Sequence, residues 1–546
     1  VKTYPMKNYI KPKKGNIMNN SNNIQRYSSF SKAFSSIAFL LISSYSYSQT
    51  YTDYYFIPTT GGNATLNLAE NYAVGSPDGE AASEIPGHNT NVFISADADG
   101  YTANTNYHNF NAHNVTFKVG DAGTGASGAW FLLTENNTAS ITGDFLFSAR
   151  SAAEWSQIES GVKVLTNSNF SVTGDFIIEN NNIADANNAG FKFAFKHHST
   201  DHTNGTVYIG GNLLFRSVNK GTEWPTERIE FITKVTNFSV NGYVDLTQPI
   251  VRGSENNLIW DLKGSGDSSL GDIGNIQIGG LRGDGALKLS KENSTVNMEF
   301  RNSQNYEWAG TLSMIDASRL NITMYANESN AKQTLRFGAG SEDLANGDPL
   351  KNSTRHTPDS VTVENGILEM NTSGNVCGTL AVIGRDAAFG ATGVSSAYEY
   401  GTISFASVNW SSGGFIFDII PNIASGDVIN AVVVDGVENS GTITVADGAS
   451  DLKMTFNLSA ADLQQFLFDE GLESYESTIM TWETSSNLGD YLDDIQILSD
   501  NGVNVDLSIV GNSLVATFTV PEPHETAALI GVLALFAVLA RRRMRR

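Results

Sequence analysis

The sequence predicts an all-β protein: a right-handed parallel β-solenoid over residues 49–390, a smaller β-rich domain over 391–520, and a hydrophobic C-terminal helix within 521–546. Three observations point there. A short phrase, consisting of a branched apolar residue, one small or polar residue and Gly ahead of a new apolar strand, recurs along the first region. Strand periodicity dominates in short aromatic or branched runs, and helical spacing is almost absent. The chain also holds 51 Gly but only 12 Pro, with abundant Asn, Thr and Ser. That balance suits short strands joined by tight turns, because Gly and Asn tolerate positive φ. At 546 residues the chain exceeds what one hydrophobic core usually holds, so more than one unit is expected.

Residues 1–48 read as an export signal. The apolar run Ala33-Phe34-Ser35-Ser36-Ile37-Ala38-Phe39-Leu40-Leu41-Ile42 lies behind Arg26 and Lys32. Ser46 and Ser48 then supply small residues at the two positions a signal peptidase inspects, which makes Gln49 the expected first residue of the mature chain.

The solenoid region carries five copies of the phrase: Ile141-Thr142-Gly143-Asp144-Phe145, Val172-Thr173-Gly174-Asp175-Phe176, Ile209-Gly210-Gly211-Asn212-Leu213, Val240-Asn241-Gly242-Tyr243-Val244 and Ile278-Gly279-Gly280-Leu281. Aligned on Gly143, Gly174, Gly211, Gly242 and Gly280, the intervals are 31, 37, 31 and 38 residues, with Gly310 another 30 on. A period of this size indicates stacked repeats. Each coil of a solenoid buries its apolar side against its neighbours and places Gly and Asn at the corners. A β-sandwich array is the alternative architecture.

A small-residue stretch, Gly390-Ala391-Thr392-Gly393-Val394-Ser395-Ser396-Ala397, marks the expected domain boundary. Beyond it, Phe415-Ile416-Phe417-Asp418-Ile419-Ile420 and Val432-Val433-Val434 look buried on both faces. Val505, Leu507 and Ile509 alternate across Gly511-Asn512 with Leu514, Ala516, Phe518 and Val520, the pattern of a closing hairpin. One helix is expected, with Ser459 as N-cap, Leu463, Phe466 and Leu467 on one face and Gly471 as the stop.

The tail begins at Val520-Pro521-Glu522-Pro523, continues through an uncharged run at 527–540, and ends in Arg541, Arg542, Arg543, Met544, Arg545 and Arg546. Fourteen residues of helix span roughly 21 Å, short of a hydrocarbon core of about 30 Å, so the run needs its flanks to cross a membrane. The arginines favour the cytoplasmic side. In the order of these parts the tail resembles the PEP-CTERM sorting signal of Gram-negative-type bacteria, although His524 stands where such tails often carry Ser or Thr. The resemblance covers about the last 26 residues. It implies an exosortase-type processing enzyme as partner, transient inner-membrane anchoring, cleavage near Pro521, Glu522 and Pro523, and delivery of the body to the cell envelope or extracellular matrix. The Gly-Thr-Leu phrases at 310–312 and 378–380 look like the β-strand repeats of autotransporter passenger domains.

Residues 49–522 hold 22 basic and 56 acidic side chains, a net charge of -34. Such a body is repelled by phosphate backbones, which disfavours nucleic acid, whereas divalent cations and basic surfaces suit it. Cys377 is the only cysteine, which excludes an intramolecular disulfide and a cysteine-based zinc site; it reads as a small buried hydrophobe. His197, His198, Asp201 and His202 form the densest group of potential metal ligands, but an exposed polar loop explains them equally. Asp97-Ala98-Asp99-Gly100 opens like a calcium loop without its later carboxylates. Gly266-Asp267-Ser268-Ser269 lacks the Gly that follows a serine-protease nucleophile. No nucleotide-binding or zinc-protease motif occurs. The expectation is therefore a non-catalytic surface or matrix protein with no cofactor, and extracellular polysaccharide as a partner. A β-helix polysaccharide lyase or glycoside hydrolase is the rival, because such enzymes assemble their groups from different coils. Converging Asp, Lys or Arg in one groove would favour that rival.

Overall fold

Five four-residue phrases share one pattern, Asn followed by apolar, polar and apolar: Asn169-Phe170-Ser171-Val172, Asn237-Phe238-Ser239-Val240, Asn275-Ile276-Gln277-Ile278, Asn297-Met298-Glu299-Phe300 and Asn321-Ile322-Thr323-Met324. In the computed structural model every one is a strand, with its apolar residues inward. They lie in parallel register. Asn169 faces Thr206 and Thr206 faces Asn237; Asn237, Asn275, Asn297, Asn321 and Ser360 then follow one another. Their side chains form a ladder: Asn275 Nδ2 donates to Asn237 Oδ1 at 3.2 Å, Asn297 Nδ2 to Asn275 Oδ1 at 3.1 Å, and Asn321 Nδ2 to Asn297 Oδ1 at 2.9 Å.

The structure describes residues 50–57, 63–96, 102–106, 108–119, 129–149, 159–180, 190–197, 205–217, 228–247, 258–263, 273–315, 317–338, 356–393, 400–421, 425–500 and 502–521. Among them, 31 strands form one hydrogen-bonded set and 9 form a second sheet. The fold is all-β and its sheets are overwhelmingly parallel. In the regular part each repeat contributes two strands to the first set and one to the second. Thus Asn169–Val172, Phe176–Asn180 and Gly190–Lys196 are followed by their parallel partners Thr206–Ile209, Leu213–Ser217 and Arg228–Lys234. Among the described residues the second sheet runs from Asn63–Thr65 to Leu312–Met314.

The corner between the two first-set strands explains the recurring glycine. Gly174 N–H donates to Gly143 O, Gly211 N–H to Gly174 O, and Gly242 N–H to Gly211 O, each at 2.9 Å. The residue after each glycine adds a second column. Asp144 Oδ1 accepts from Asp175 N at 2.8 Å, Asp175 Oδ1 from Asn212 N at 2.7 Å, and Asn212 Oδ1 from Tyr243 N at 3.1 Å. A Cβ on Gly174 would lie 2.2 Å from Asp144 Oδ1 and 2.7 Å from Gly143 O, so no side chain fits where the layers meet. Gly143, Gly174, Gly211 and Gly242 are equivalent, as the spacing implied. Gly280 is not: a bulge sets two residues, Asn241 and Gly242, against one, so that Tyr243 faces Gly280 and Gly279 occupies the corner. Gly310 belongs to another corner, where its carbonyl accepts from Gly338 N at 2.8 Å.

The interior is a column of aromatic rings. Phe145 stacks on Phe176 at 4.8 Å and Phe117 on Phe147 at 5.4 Å; Phe193 and Phe195 from the second sheet meet Phe176 edge-on at 5.5 and 5.1 Å. Burial of such rings is the main stabilising term. At the start, Thr52–Phe56 has Tyr72–Val74 antiparallel on one edge and Thr90–Ala96 parallel on the other. At the end, the hairpin Asn504–Val510 and Ser513–Thr519 lies antiparallel on Tyr475–Trp482. These antiparallel strands occupy edges that would otherwise be open for pairing.

The pairing is not interrupted near 390. Val376–Val382 pairs with Thr402–Trp410, and Ala387–Ala391 with Gly413–Ile420, in parallel; all described residues from Thr50 onward belong to one compact unit. Gly390 and Ala391 end a buried strand, which explains the small side chains there. Two further expectations need correction. Phe415, Phe417 and Ile419 are buried but Ile416, Asp418 and Ile420 are half-exposed, and Val433 is exposed outside any strand. The helix Ala460–Glu470 forms as expected: Ser459 caps it, Leu463 and Leu467 are buried, and Gly471 ends it at φ 66°. The expected closing hairpin also forms. No helix among the described residues is long and apolar enough to cross a membrane; the run at 527–540, where the terminal helix is expected, lies outside them.

Candidate functional site

Strand alternation brings Lys332, Thr334 and Arg336 to one face of Lys332–Arg336, beside Glu307 on one neighbour and Glu369 on the other. Glu307, Thr334, Glu369 and Gly390 are directly aligned, so the row loses its side chain at Gly390. A polar groove of about 490 Å³ lies here, with Tyr306, Lys332, Arg336, Glu369, Thr392 and Asp418 among its walls.

Its charges are mutually engaged. Arg336 is buried, and its guanidinium lies 2.9 Å from Glu307 Oε1 and donates to Thr392 Oγ1 at 2.6 Å and Gly393 O at 2.5 Å. Lys332 Nζ is 3.0 Å from Glu369 Oε1, and Thr334 Oγ1 donates to Glu369 Oε2 at 3.2 Å. Asn457 Nδ2 donates to Asp418 Oδ1 at 2.6 Å. Behind Asp418, Asp427 is almost wholly buried and accepts from Gly401 N at 2.7 Å and Asp418 N at 2.8 Å. Burial pushes its carboxyl up to about 8, with the charges of Asp418 and Glu369 adding to the shift and the two backbone donors opposing it. The groove thus offers carboxylates, an ammonium, hydroxyl and amide groups, and one aromatic ring, a set suited to a hydroxyl-rich ligand.

These residues were not singled out from the sequence. They come from strands spread between Tyr306 and Asn457, and the only local signal was Asp418, a charge inside an apolar run. The residues that were singled out fall elsewhere. His197 is buried, its Nδ1 3.2 Å from Val164 O, while His198, Asp201 and His202 lie outside the described residues. So do Asp97-Ala98-Asp99-Gly100 and Gly266-Asp267-Ser268-Ser269. Among the described residues no group of three or more His, Cys, Asp or Glu is placed to hold a metal ion. Cys377 is buried, and burial raises its thiol far above the usual range, with Asp359 contributing. Ser46, Ser48 and Gln49 precede the described residues. Val520 packs against the core and Pro521 is exposed just after the last strand; Glu522, Pro523, Arg541, Arg542 and Arg543 lie beyond the described residues.

No protein-family model matches the chain, and no curated protein matches it.

Proposed function

We propose that this chain is a non-catalytic, exported surface or matrix protein whose body is a right-handed parallel β-solenoid finished by a β-rich C-terminal portion. The observation that carries the reading is the unbroken parallel pairing, from Thr52–Phe56 to Gln496–Ser499, with stacked glycines and Asx side chains at the corners between Gly143 and Gly242. Such a stack spreads stability over nearest-neighbour interfaces and presents long repetitive faces, properties that suit a structural or adhesive role. The paired state of the groove charges agrees with it. Export and sorting rest on the two ends of the sequence: a signal cut before Gln49, and a tail that anchors transiently in the inner membrane and is processed near Pro521 to Pro523 by an exosortase-type enzyme. Intact mass of envelope-derived protein, with and without Glu522→Ala, tests this. A wild-type product that begins at Gln49 and lacks the arginine cluster supports the reading; one still ending at Arg546 overturns the sorting step.

A second reading, a polysaccharide lyase or glycoside hydrolase, is favoured by one observation, the convergence of Lys332, Arg336, Glu369 and Asp418 on one groove. Release of oligosaccharides from a polysaccharide panel, abolished by Glu369→Gln in a folded protein, would replace the structural reading with the enzymatic one.

A further inference from the structure

The outward face of the second sheet carries a row of lysines. Lys163 faces Lys196 and Lys196 faces Lys234 in register. Lys263 directly follows Leu262, the partner of Thr233, and so falls next in line. Lys192 and Lys288 flank the row, with Glu159, Glu230 and Asp261 between: among the described residues, six lysines against three carboxylates. Every carboxylate is already shared or engaged. Glu159 meets Lys196 at 2.5 Å and Lys234 at 3.7 Å, Glu230 meets Lys192 at 3.4 Å and Lys288 at 3.8 Å, and Asp261 meets Lys263 at 3.0 Å.

The row is recessed rather than splayed into solvent. Lys196, Lys234 and Lys263 expose only 21%, 31% and 20% of their side chains. Lys163 and Lys196 place their ammonium groups 4.3 and 4.2 Å from the centre of the buried Trp130 ring, which fixes both heads by cation–π attraction. Lysine is seldom held this way without matching carboxylates, because stacking like charges at a strand spacing of about 4.8 Å and stripping their water is unfavourable. Lys163 and Lys234 respond accordingly: burial, then a neighbouring lysine, lowers the pKa of each, whereas at Lys263 burial is outweighed by Asp261 and the shift is upward. On a body of net charge -34 the cation excess that the described residues place on this face is the reverse of general solubilisation.

We propose that this face, centred on Lys163, Lys196, Lys234 and Lys263, docks a linear carboxylated polysaccharide laid across the strands, with successive carboxylates opposite successive lysines. The inference deepens the matrix-protein reading and rests on it for the presence of such polymers, while its own geometry is the lysine row. One carboxylate per sugar ring approximates the spacing between strands. Nucleic acid packs its phosphates far more densely, about one per 1.7 Å of duplex, and would meet the acidic remainder of the surface.

The test uses the purified full chain with polygalacturonate, neutral dextran and a DNA duplex as probes. Polygalacturonate should bind, weaken as salt rises, and lose about tenfold in affinity in Lys196→Gln/Lys234→Gln, whereas Lys118→Gln, an exposed lysine of the other strand set, should behave as wild type. Amine labelling read by mass spectrometry supplies a measurement on the unmutated protein: polygalacturonate should slow modification of Lys163, Lys196, Lys234 and Lys263 several-fold and leave Lys118 unchanged. Equal binding of dextran, tighter binding of DNA, an unaltered double variant, or unprotected lysines would each overturn the proposal. Because export and tail processing are read by intact mass, failure of the surface-protein reading registers separately.

Discussion

Two sets of glycines, one at the corners of the early repeats and one at isolated turns of the later part, serve different ends. At Gly143, Gly174, Gly211 and Gly242 an added Cβ would collide with the preceding layer at 2.1 to 2.5 Å, and none of these residues has positive φ. At Gly436, Gly448, Gly471 and Gly511 the reverse holds: φ lies between 60° and 78°, and nothing stands within 4 Å of where a Cβ would be. The first set lets layers approach, and the second lets single segments turn. The difference follows from the architecture. Up to Met314 the chain stacks near-identical three-strand repeats on two sheets, so corners superpose and must be thin. Among the described residues after Met314 the second sheet does not continue, a helix and an antiparallel hairpin enter, and isolated turns appear beside corners that still superpose, such as Gly378 and Gly384, where a Cβ would lie 1.7 and 1.6 Å from the carbonyl oxygens of Asp359 and Glu364.

Four perturbations sharpen this contrast. The largest effect is expected in the aromatic column: Phe176→Ala removes a fully buried ring that stacks on Phe145 and meets Phe193 and Phe195, and should lower unfolding free energy by about 3–5 kcal/mol. Met454→Ala, in the later half, should cost less because a smaller side chain is deleted and the cavity left is smaller. Urea unfolding of both variants decides; equal losses would show that the aromatic column has no special weight.

Next in size is a pH effect confined to the later half. The folded carboxyl of Asp427 sits near 8, above its value of about 4 in an unfolded chain, so the native state keeps a proton that the unfolded state releases. Its stabilising contribution is complete below about pH 4, declines as pH rises towards 8, and is lost above that. Asp427→Asn should flatten that decline, at the expense of one acceptor for Gly401 N or Asp418 N. An unchanged pH profile in the variant would remove Asp427 from the account.

The glycines themselves come third. Gly174→Ala should destabilise by about 1–3 kcal/mol through overpacking against Asp144 and Gly143, and Gly448→Ala by about 1 kcal/mol through its positive φ alone. The discriminating measurement is the double change Asp144→Ala/Gly174→Ala, which frees the space beside Oδ1 and should recover part of the first loss. Gly448 has no such neighbour to remove.

How far the sequence exposes this protein depends on the same contrast. Strand type, the equivalence of Gly143 with Gly174 and Gly211, and the capped helix are legible, because short aromatic runs, Gly-Asx pairs and a Ser–Gly bracket are local signals. The continuation through 390 is hidden, since small residues in a buried strand resemble a linker. Also hidden is the repeat length: Asn237, Asn275, Asn297, Asn321 and Ser360 are aligned although separated by 38, 22, 24 and 39 residues. Pairing fixes the register while the return segments vary freely. The groove and the lysine row are unreadable for a related reason. Their members lie tens of residues apart, and only strand register brings Arg336 to Thr392 or Lys196 to Lys234.

The smallest effect is expected where the ladder of asparagines crosses from one half to the other. Asn297 receives a hydrogen bond from Asn321 Nδ2 at 2.9 Å and gives one to Asn275 Oδ1 at 3.1 Å, both near the surface where water competes. Each such bond contributes about 0.5–1.5 kcal/mol, so Asn297→Ala should cost no more than about 1 kcal/mol once the freed neighbours rehydrate. The pair Asn275→Ala/Asn297→Ala then distinguishes a ladder from separate contacts. Both single changes break the same bond, so the double loss should be smaller than the sum of the single losses. Simple additivity would mean that backbone pairing holds this register without the side chains. Hydrogen exchange in Asn275–Ile278, Thr295–Phe300 and Arg319–Tyr325 would locate the loosening, which should reach the strands on both sides of Asn297 and leave the aromatic column protected.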